Sequence, residues 1–309
     1  MKHKLTVLAV FGMALLLSTN FAFAQNVVTI PGGTLERCAT THVPVILDNM
    51  ASDIGAIGIP LVVTGDATIT AATPLDLAAM GYITAAGGFP GTAGVLNAYH
   101  PAGCGFPLGG TQVLWDLEVT TGTSCSGDVE IDMAFYPPAG AFIILDCMGV
   151  PDPAPVFTKG VFTITTTPPV CGTNLDETIN FQGSISKTLL ATPGNACATL
   201  TFALVDAGGL TDADITGDLF TYDGVCGDVG IHTVEFSVTD DCTNAISCFF
   251  DVTVENNAPV CGTNAPETVY WKASITGKQL NATDPDGNAL TFGNPVAAPP
   301  FNSGVMALS

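Results

Sequence analysis

Oxygen-bearing side chains are concentrated in one short stretch near the end of the chain. Asp284, Asp286 and Asn288 fall within the segment Asp284-Pro-Asp-Gly-Asn288. Carboxylate and amide oxygens are ligands that Ca²⁺ prefers, and the ion takes about six to eight of them. The same residue types also form tight turns. The stretch therefore has two interpretations, a calcium loop and a solvated turn between strands.

An EF-hand is excluded by the residues that follow. Counted from Asp284, the sixth position is Ala289, where an EF-hand loop needs Gly. The twelfth position is Pro295, where it needs Glu. The choice between the two interpretations therefore depends on where the stretch lies in its domain.

The first 24 residues read as a secretion signal. Lys2 and Lys4 precede the apolar run 5–17, and Ala22-Phe-Ala24 is a small-x-small cleavage site. No later apolar run is long enough to span a membrane as a helix. The sequence predicts an exported chain that is not inserted in a membrane.

The chain is strongly acidic. Its net charge is −21, and loss of Lys2 and Lys4 with the signal leaves 5 − 28 = −23. Such a surface repels nucleic acid and anionic lipid, so neither is an expected partner. Apolar residues make up 47% of the sequence and charged residues only 11%, which indicates folded domains and not a disordered acidic tail.

The second half of the chain contains a repeat. PPVCGTNLDETI, from Pro168, returns as APVCGTNAPETV, from Ala258. Cys171 and Cys261 are 90 residues apart, as are Phe202 and Phe292, which predicts a gap-free offset. We expect four segments: a signal (1–24), a first domain (25–167), one full repeat (168–256) and a truncated second repeat (257–309).

Alternating apolar and polar residues predict an all-β fold. In the full repeat the alternation is clear in 200–204, 233–238 and 249–254. Short strands at this spacing favour an antiparallel sandwich of immunoglobulin type. His232 stands where many immunoglobulin-like domains carry the tyrosine of Asp-x-Gly-x-Tyr, so we expect it to pack the corner. In the second repeat, 275–282 and 290–292 read as the strands on either side of the acidic stretch.

Residues 25–167 carry a different set of strands, predicted at 43–47, 56–63, 113–119 and 129–135. Gly- and Pro-rich connections such as 85–91 join them. The order THVPVILDN, then SDIGAIGIPLVV, then a late strand pair resembles cohesin modules. The resemblance implies a jelly-roll-like sandwich that binds dockerin modules or serves in a surface scaffold. It assigns no binding face.

The second repeat resembles cadherin-like domains. In those domains a linker with Asn and acidic residues meets an Asp-x-Asp pair from the next domain around calcium. The resemblance implies one Ca²⁺ site formed by six residues: Glu255, Asn256, Asn257, Asp284, Asp286 and Asn288. The end of the full repeat, VTDDCTNAISCFFDVTV, also resembles hyalin-type repeats, which are associated with adhesion.

Cysteines in an exported chain are expected to form disulfides. There are ten: Cys38, Cys104, Cys125, Cys147, Cys171, Cys197, Cys226, Cys242, Cys248 and Cys261. In an immunoglobulin-like sandwich the first and last strands run parallel, so Cys171 and Cys248 can meet. Cys197 and Cys242 fall in loops at the same pole and are predicted to pair.

Two cysteines are left with alternatives. Cys226 lies before a late strand and close to the linker, so it is predicted to bridge to Cys261. In the other interpretation Cys261 pairs with a cysteine beyond Ser309, as Cys171 does with Cys248, and Cys226 is free.

Catalytic chemistry is not indicated. The expected mature chain has three histidines, His42, His100 and His232, and no Gly-x-Ser-x-Gly or His-Glu-x-x-His motif. The sequence therefore predicts a non-enzymatic adhesion or scaffold protein that binds an extracellular protein, either a dockerin or an adhesion partner, or a glycan. The rival hypothesis is a carbohydrate-binding module that is accessory to an extracellular polysaccharide-degrading system. Trp115 and Trp271 could stack on sugar in such a module, but each lies in a strand pattern that favours core packing.

Overall fold

Strands dominate the structure, a computed structural model that describes residues 25–106, 109–135, 141–263, 278–293, 296–297 and 306–307. The predicted all-β class is confirmed. One short helix, α1 (Asp76–Ala79), and one 3₁₀ turn (Cys226–Asp228) occur in these ranges. None of the described helices has the length and apolar character needed to cross a membrane. The predicted signal and Trp271 lie outside the described residues.

The chain divides into two units. Unit 1 comprises Met1–Thr167 together with the short segment Gly194–Cys197. Unit 2 comprises Pro168–Pro193 and Ala198–Ser309. Each has its own buried apolar cluster.

Unit 1 is built from two sheets. Sheet A contains β1 (Val27–Thr29), β3 (Thr40–Asn49), β5 (Ala67–Pro74), β8 (Gly110–Thr121) and β11 (Val156–Thr158). Its order is β11-β1-β3-β8-β5. Sheet B contains β2 (Gly33–Glu36), β4 (Ile54–Thr64), β6 (Ile83–Gly87), β7 (Ala93–Tyr99), β9 (Asp128–Met133), β10 (Ile143–Asp146) and β12 (Gly160–Thr165). Its order is β2-β12-β9-β4-β7-β6, with β10 also paired to β4.

Period-two alternation explains how these strands bury one face. In β3 the side chains of Val43, Val45 and Leu47 enter the core, and the residues between them face outward. Trp115 of β8 is only 1% exposed and belongs to the same core. Its ring therefore packs inside the sandwich, in agreement with the core role that was the alternative to sugar stacking.

Unit 2 also has two sheets around one core. The first contains β14 (Glu177–Asn180), β17 (Leu200–Asp206), β20 (Gly230–Asp240) and β21 (Ala245–Glu255), in the order β14-β21-β20-β17. The second contains β15 (Ser184–Thr188), β18 (Asp214–Thr216) and β19 (Leu219–Asp223), in the order β15-β19-β18. Phe220 of β19 packs edge-on against Phe250 of β21, with ring centroids 5.1 Å apart.

Short strand pairs complete unit 2. They are formed by β13 (Val170–Cys171) with β16 (Ala191–Thr192), β22 (Val260–Cys261) with β23 (Ala282–Thr283), and β24 (Val296–Ala297) with β25 (Met306–Ala307). The predicted strand at 290–292 is wrong, because these residues form no strand. The corresponding segment of the first repeat is β17, which is a strand through its pairing with β20.

The repeat is visible in backbone pairing. Val170 pairs with Thr192, and Val260 pairs with Thr283 in the same way. The offset is 90 residues at the first member of each pair and 91 at the second. The constant offset of 90 residues predicted from the sequence therefore does not hold at β23, where the offset is 91.

The cysteine pairing agrees with the prediction in one case and differs in another. Cys171 is bonded to Cys248, with Cα atoms 5.8 Å apart. The predicted Cys197–Cys242 bond is wrong, because Cys197 is bonded to Cys38. The reason is that Gly194–Cys197 groups with unit 1, which places the Cα atoms of Cys38 and Cys197 5.9 Å apart.

The other described cysteines include both disulfide-bonded and free residues. Cys104 is bonded to Cys147, and Cys125 and Cys242 are also disulfide-bonded. Cys261 is free and exposed, so the predicted Cys226–Cys261 bridge is wrong.

Candidate functional site

The acidic stretch after β23 forms a tight turn. Asp284 Oδ1 accepts the backbone N–H groups of Asp286, at 2.9 Å, and Asn288, at 3.3 Å. The backbone N–H of Gly287 donates to Asp284 O at 3.1 Å, and Gly287 has a φ of +76°, which favours glycine. Asp284 therefore folds the turn through its own side chain, as Asp does in an Asx turn.

The turn directs Asp286 toward the segment that follows β21. Asp286 is 8% exposed, and its carboxylate accepts hydrogen bonds from the backbone N–H of Asn257 and, at 3.0 Å, from Asn257 Nδ2. Asn288 Nδ2 donates to Asn256 Oδ1 at 2.8 Å. The structure thus brings together five of the six residues predicted to bind calcium.

The sixth residue predicted to bind calcium, Glu255, makes a backbone hydrogen bond instead. It ends β21, its side chain is exposed, and its carbonyl oxygen accepts the N–H of Phe181 at 2.7 Å.

Calcium would need oxygen atoms turned toward a common point, whereas both Asp286 oxygens face N–H donors of Asn257. As hydrogen-bonded, these residues do not fit a calcium cage. Within the described ranges, no three His, Cys, Asp or Glu side chains form a group that could hold a metal ion. Calcium binding therefore stays a prediction that requires Asn257 to move away.

His232 closes a corner of unit 2. Its Nδ1 lies 2.9 Å from Gly208 O and its Nε2 lies 2.7 Å from Asp228 O. The Asp228 carboxylate accepts hydrogen bonds from the backbone N–H and the hydroxyl of Thr211 and from the Tyr222 hydroxyl. Burial alone would raise the pKa of Asp228, but these hydrogen bonds and the neighbouring His232 lower the pKa below its ordinary value. The predicted structural role of His232 is confirmed.

The other two histidines lie in unit 1. His42 Nδ1 is 2.6 Å from Asp116 Oδ2 on the outer face of sheet A, where the His42 side chain is 64% exposed. His100 packs edge-on against the buried ring of Tyr82 at 5.3 Å between centroids. Neither arrangement positions a nucleophile beside a base in the way that acyl transfer requires.

The outer face of sheet B carries exposed apolar side chains. Tyr99 of β7 lies directly opposite Ile83 of β6, and the two are 52% and 49% exposed. Asn97 lies opposite Ala85 in the next row. Ile143 of β10, 40% exposed, extends this row on the other side of β4. These five residues are called the apolar face of sheet B below.

The floor of this surface is formed by small residues of β4. Ala56 lies opposite Tyr99, and Gly58 lies between Asn97 and Ile143. A Cβ atom on Gly58 would lie 3.2 Å from Asn97 Oδ1 and 3.3 Å from Ile143 Cγ2. This geometry places Asn97 and Ile143 on the same side of the sheet as the missing Gly58 side chain.

Acidic residues form a border farther along the outer face of sheet B, on β9, where Asp132 lies opposite Val62 of β4. Asp128, Glu130 and Asp132 alternate with the buried residues of the strand and therefore face outward. Glu130 pairs with Lys159 at 2.6 Å, and this hydrogen bond raises the pKa of the exposed Lys159. The sequence showed the acidic residues and the strands β4 and β9, but it placed part of β6 in a connection and did not indicate which apolar side chains would remain uncovered.

No protein-family model and no curated protein matches this chain. Solved structures similar to it include cohesin modules. A non-cellulosomal cohesin from the hyperthermophilic archaeon Archaeoglobus fulgidus is 13% identical, covers 46% of this chain and 93% of its own, and gives a TM-score of 0.38. The seventh ScaB type I cohesin from Pseudobacteroides cellulosolvens is 15% identical, with 47% and 95% covered and a TM-score of 0.38.

A third similar structure is the type I cohesin–dockerin complex Coh-OlpA-Doc918 from Clostridium thermocellum. It is 12% identical, with 45% of this chain and 99% of that chain covered, and its TM-score is 0.38. At TM-scores below 0.5 these similarities carry no argument about what this chain binds.

Proposed function

We propose that this chain is an exported, non-enzymatic scaffold or adhesion protein, and that the apolar face of sheet B binds a protein partner of the dockerin kind. One observation carries the proposal. Ile83, Tyr99 and Ile143 expose 40–52% of their surface on one face of a sheet whose buried side already has a full core. Contiguous exposed apolar side chains on a soluble protein are typical of interaction sites.

The composition of this surface suits a protein interface. Tyr is enriched at interface centres because its large ring buries area while its hydroxyl remains able to hydrogen-bond. Asn97 adds an amide beside the ring. Ala56 is small and half-buried, whereas Gly58 is buried beneath the side chains of Asn97 and Ile143, so a partner would contact those side chains and not the backbone of β4. The surface therefore offers an apolar centre with one polar group that would orient the partner.

The negative charge of this chain favours a partner that carries basic residues. The acidic border of β9 and the net charge of −21 would attract Lys and Arg at the rim of the partner's own patch. Attraction of this kind raises the association rate most at low ionic strength. We therefore propose a partner with an apolar patch and a basic rim.

The dockerin class follows from the sequence of unit 1. Two segments resemble cohesin modules: THVPVILDN, which lies in β3, and SDIGAIGIPLVV, most of which lies in β4. The β4 segment also supplies the floor of the apolar face of sheet B. A dockerin is thus the partner class that joins the resemblance to the exposed surface.

An extracellular role is consistent with the cysteines and histidines. Eight cysteines are disulfide-bonded, which is typical of proteins that mature in an oxidising compartment. The contacts of His100 and His232 are structural. A non-catalytic function on the cell surface or in the extracellular medium accounts for these features together.

Calorimetric titration of a panel of purified dockerin modules into the full chain tests the proposal. We expect at least one module to bind, and Tyr99→Ala and Ile83→Ala each to weaken its affinity about tenfold or more, as hot-spot residues do. Ile231→Ala is the matched control, because Ile231 is an exposed apolar residue of β20 in unit 2. Absence of binding by every module would contradict the partner class. Equal binding by all variants would contradict the surface.

The carbohydrate-binding alternative is tested with the same variants. Trp115 is buried and unavailable to sugars, so Tyr99 is the aromatic ring of the apolar face of sheet B that a glycan would contact. Glycan-array binding that is lost in Tyr99→Ala, with no dockerin binding, would replace our proposal with that rival.

A further inference from the structure

The two units share an arrangement at the end of their last strands. In unit 1, β2 runs parallel to β12, and the two strands end together at the pair Glu36 and Thr165. The backbone N–H of Arg37 then donates to Thr165 O at 3.0 Å. In unit 2, β14 runs parallel to β21, and they end together at Asn180 and Glu255.

The hydrogen bond that follows is also repeated. In unit 2 the backbone N–H of Phe181, the residue after Asn180, donates to Glu255 O at 2.7 Å. Glu36 and Asn180 therefore occupy the same topological position, each as the last residue of an early strand beside the end of the last strand.

Two residues beyond each last strand, the chain is held by a buried side chain. In unit 1 the backbone N–H of Thr167 donates to Asn195 Oδ1 at 2.9 Å. In unit 2 the backbone N–H of Asn257, 90 residues later, donates to Asp286 Oδ2. Asn195 is 2% exposed and Asp286 is 8% exposed. Each is the third residue after the short strand that precedes it, β16 or β23.

The hydrogen-bonded residues of each unit include one carboxylate. It lies on the early strand in unit 1 and in the loop in unit 2. In unit 1, Glu36 Oε1 accepts hydrogen bonds from Asn195 Nδ2 and Thr167 Oγ1, both at 3.0 Å. The acid thus belongs to the early strand, and the amide belongs to the loop.

In unit 2 the acid belongs to the loop. Asn257 Nδ2 donates to Asp286 Oδ1 at 3.0 Å and to Asn180 Oδ1 at 3.2 Å. Asn180 on the early strand is now an amide, while the loop residue Asp286 is the carboxylate.

We propose that these residues form one recurring device, an acid–amide clasp, which holds the segment after the last strand by hydrogen bonds and needs no metal ion. The unit 1 clasp is Glu36, Thr167 and Asn195; the unit 2 clasp is Asn180, Asn257 and Asp286. At the loop position, the amide oxygen of Asn195 in unit 1 accepts the same backbone hydrogen bond that the carboxylate of Asp286 accepts in unit 2. The position therefore requires a hydrogen-bond acceptor, and not the charge that calcium would require.

The clasp implies a pairing rule. A carboxylate accepts stronger hydrogen bonds than a neutral oxygen, so one acid strengthens the clasp. Two carboxylates in one clasp repel each other, and in unit 1 the second carboxylate would also replace the Asn195 N–H group that donates to Glu36. An early-strand acid therefore goes with a loop amide, and an early-strand amide goes with a loop acid. This rule is independent of the proposed docking function.

Thermal unfolding of the full chain tests the rule. Asn195→Asp would place a second carboxylate beside Glu36, and we expect its unfolding midpoint at neutral pH to fall by roughly 5 °C. Adding Glu36→Gln would restore the midpoint, because the acid and the amide have then exchanged places. Asn97→Asp is the matched control, since it adds the same charge at an exposed site of unit 1 and should leave the midpoint nearly unchanged.

Unit 2 provides a reciprocal test. Asn180→Asp should lower the midpoint, and the further change Asp286→Asn should restore it. If a single variant does not fold, recovery of folding in the corresponding double variant is the result that we expect. An unchanged midpoint in Asn195→Asp, or a double variant as unstable as the single one, would overturn the pairing rule.

Calcium distinguishes the clasp from a metal site. The midpoint of the wild-type chain should be the same in millimolar calcium and in EDTA. A higher midpoint in calcium that disappears in Asp286→Asn would overturn the metal-independent clasp and favour the cadherin-like site.

Discussion

Tyr99 and Ile83 are direct cross-strand partners on the outer face of sheet B, and about half of each side chain is exposed. Adjacent apolar residues of this size normally contribute to a core. Here the core is supplied by the opposite side of the same sheet, for example by Leu96 and Ile59, which are fully buried. The pair is therefore available to a partner, and its removal should cost binding and not folding.

The exposed and buried aromatic residues of unit 1 should differ sharply in stability. Tyr99→Ala should change the free energy of unfolding by less than about 0.5 kcal/mol, because the ring is half exposed. Trp115→Ala should lower it by about 3–5 kcal/mol, because it opens a cavity in the core. Urea unfolding of both variants measures the difference. A Tyr99→Ala variant as unstable as Trp115→Ala would show that Tyr99 is part of the core.

The hydroxyl of Tyr82 should stabilise unit 1 through two backbone contacts. It donates to Ile54 O at 2.5 Å and accepts the N–H of Phe106 at 3.1 Å. Burial raises the pKa of Tyr82 to about 12, against the opposing effect of the Phe106 hydrogen bond. Tyr82→Phe leaves both groups without this partner and should lower the free energy of unfolding by about 1–3 kcal/mol. Tyr99→Phe removes a hydroxyl from an exposed ring and should have no effect; equal losses in the two variants would contradict this role.

Acid should destabilise unit 2 through Asp228. The pKa of Asp228 is lower in the folded chain than the roughly 3.9 expected when unfolded. Its stabilisation is therefore present above about pH 4 and is lost as the pH falls through the folded-state pKa. Asp228→Asn should be less stable than the wild type at neutral pH and should lose less stability on acidification.

Thermal midpoints across an acidic pH series measure this effect. Asp223→Asn is the control, because Asp223 is exposed at the end of β19. If Asp228→Asn and the wild type show parallel pH profiles, the hydrogen bonds to Asp228 do not produce the acid sensitivity.

The Cys171–Cys248 bond should stabilise unit 2. It closes a separation of 77 residues and joins β13 to β21. Replacing both cysteines by Ser should lower the free energy of unfolding by about 2–4 kcal/mol. Cys261→Ser is the matched control, since this repeat-equivalent cysteine is free and exposed. Denaturant unfolding without reducing agent compares the variants, and similar losses in both would be the contrary result.

The strands of both units could be predicted where side chains alternate. Val43–Leu47 lies within β3, and the alternating segments 200–204 and 233–238 lie within β17 and β20. Each of these strands packs one face against the core, so the alternation of apolar and polar residues in its sequence indicates which face is buried. By contrast, β6 (Ile83–Gly87) overlaps the Gly-rich stretch that was predicted as a connection, because a short edge strand of small residues lacks that alternation.

Contacts between distant segments were harder to predict. The Cys38–Cys197 bond joins residues 159 apart, and it depends on the segment Gly194–Cys197 grouping with unit 1. Nothing local in the sequence specifies that position. For Asp286, composition indicated a polar turn, but its hydrogen bonds with Asn257 depend on the backbone direction of both segments.

Hydrogen–deuterium exchange of the full chain, with and without a bound dockerin module, tests the central claim most directly. Our account predicts added protection in β6 and β7, around Ile83 and Tyr99, while β3 and β8 of sheet A exchange at unchanged rates. Protection confined to sheet A, or to unit 2, would contradict the assignment of the apolar face of sheet B as the binding surface.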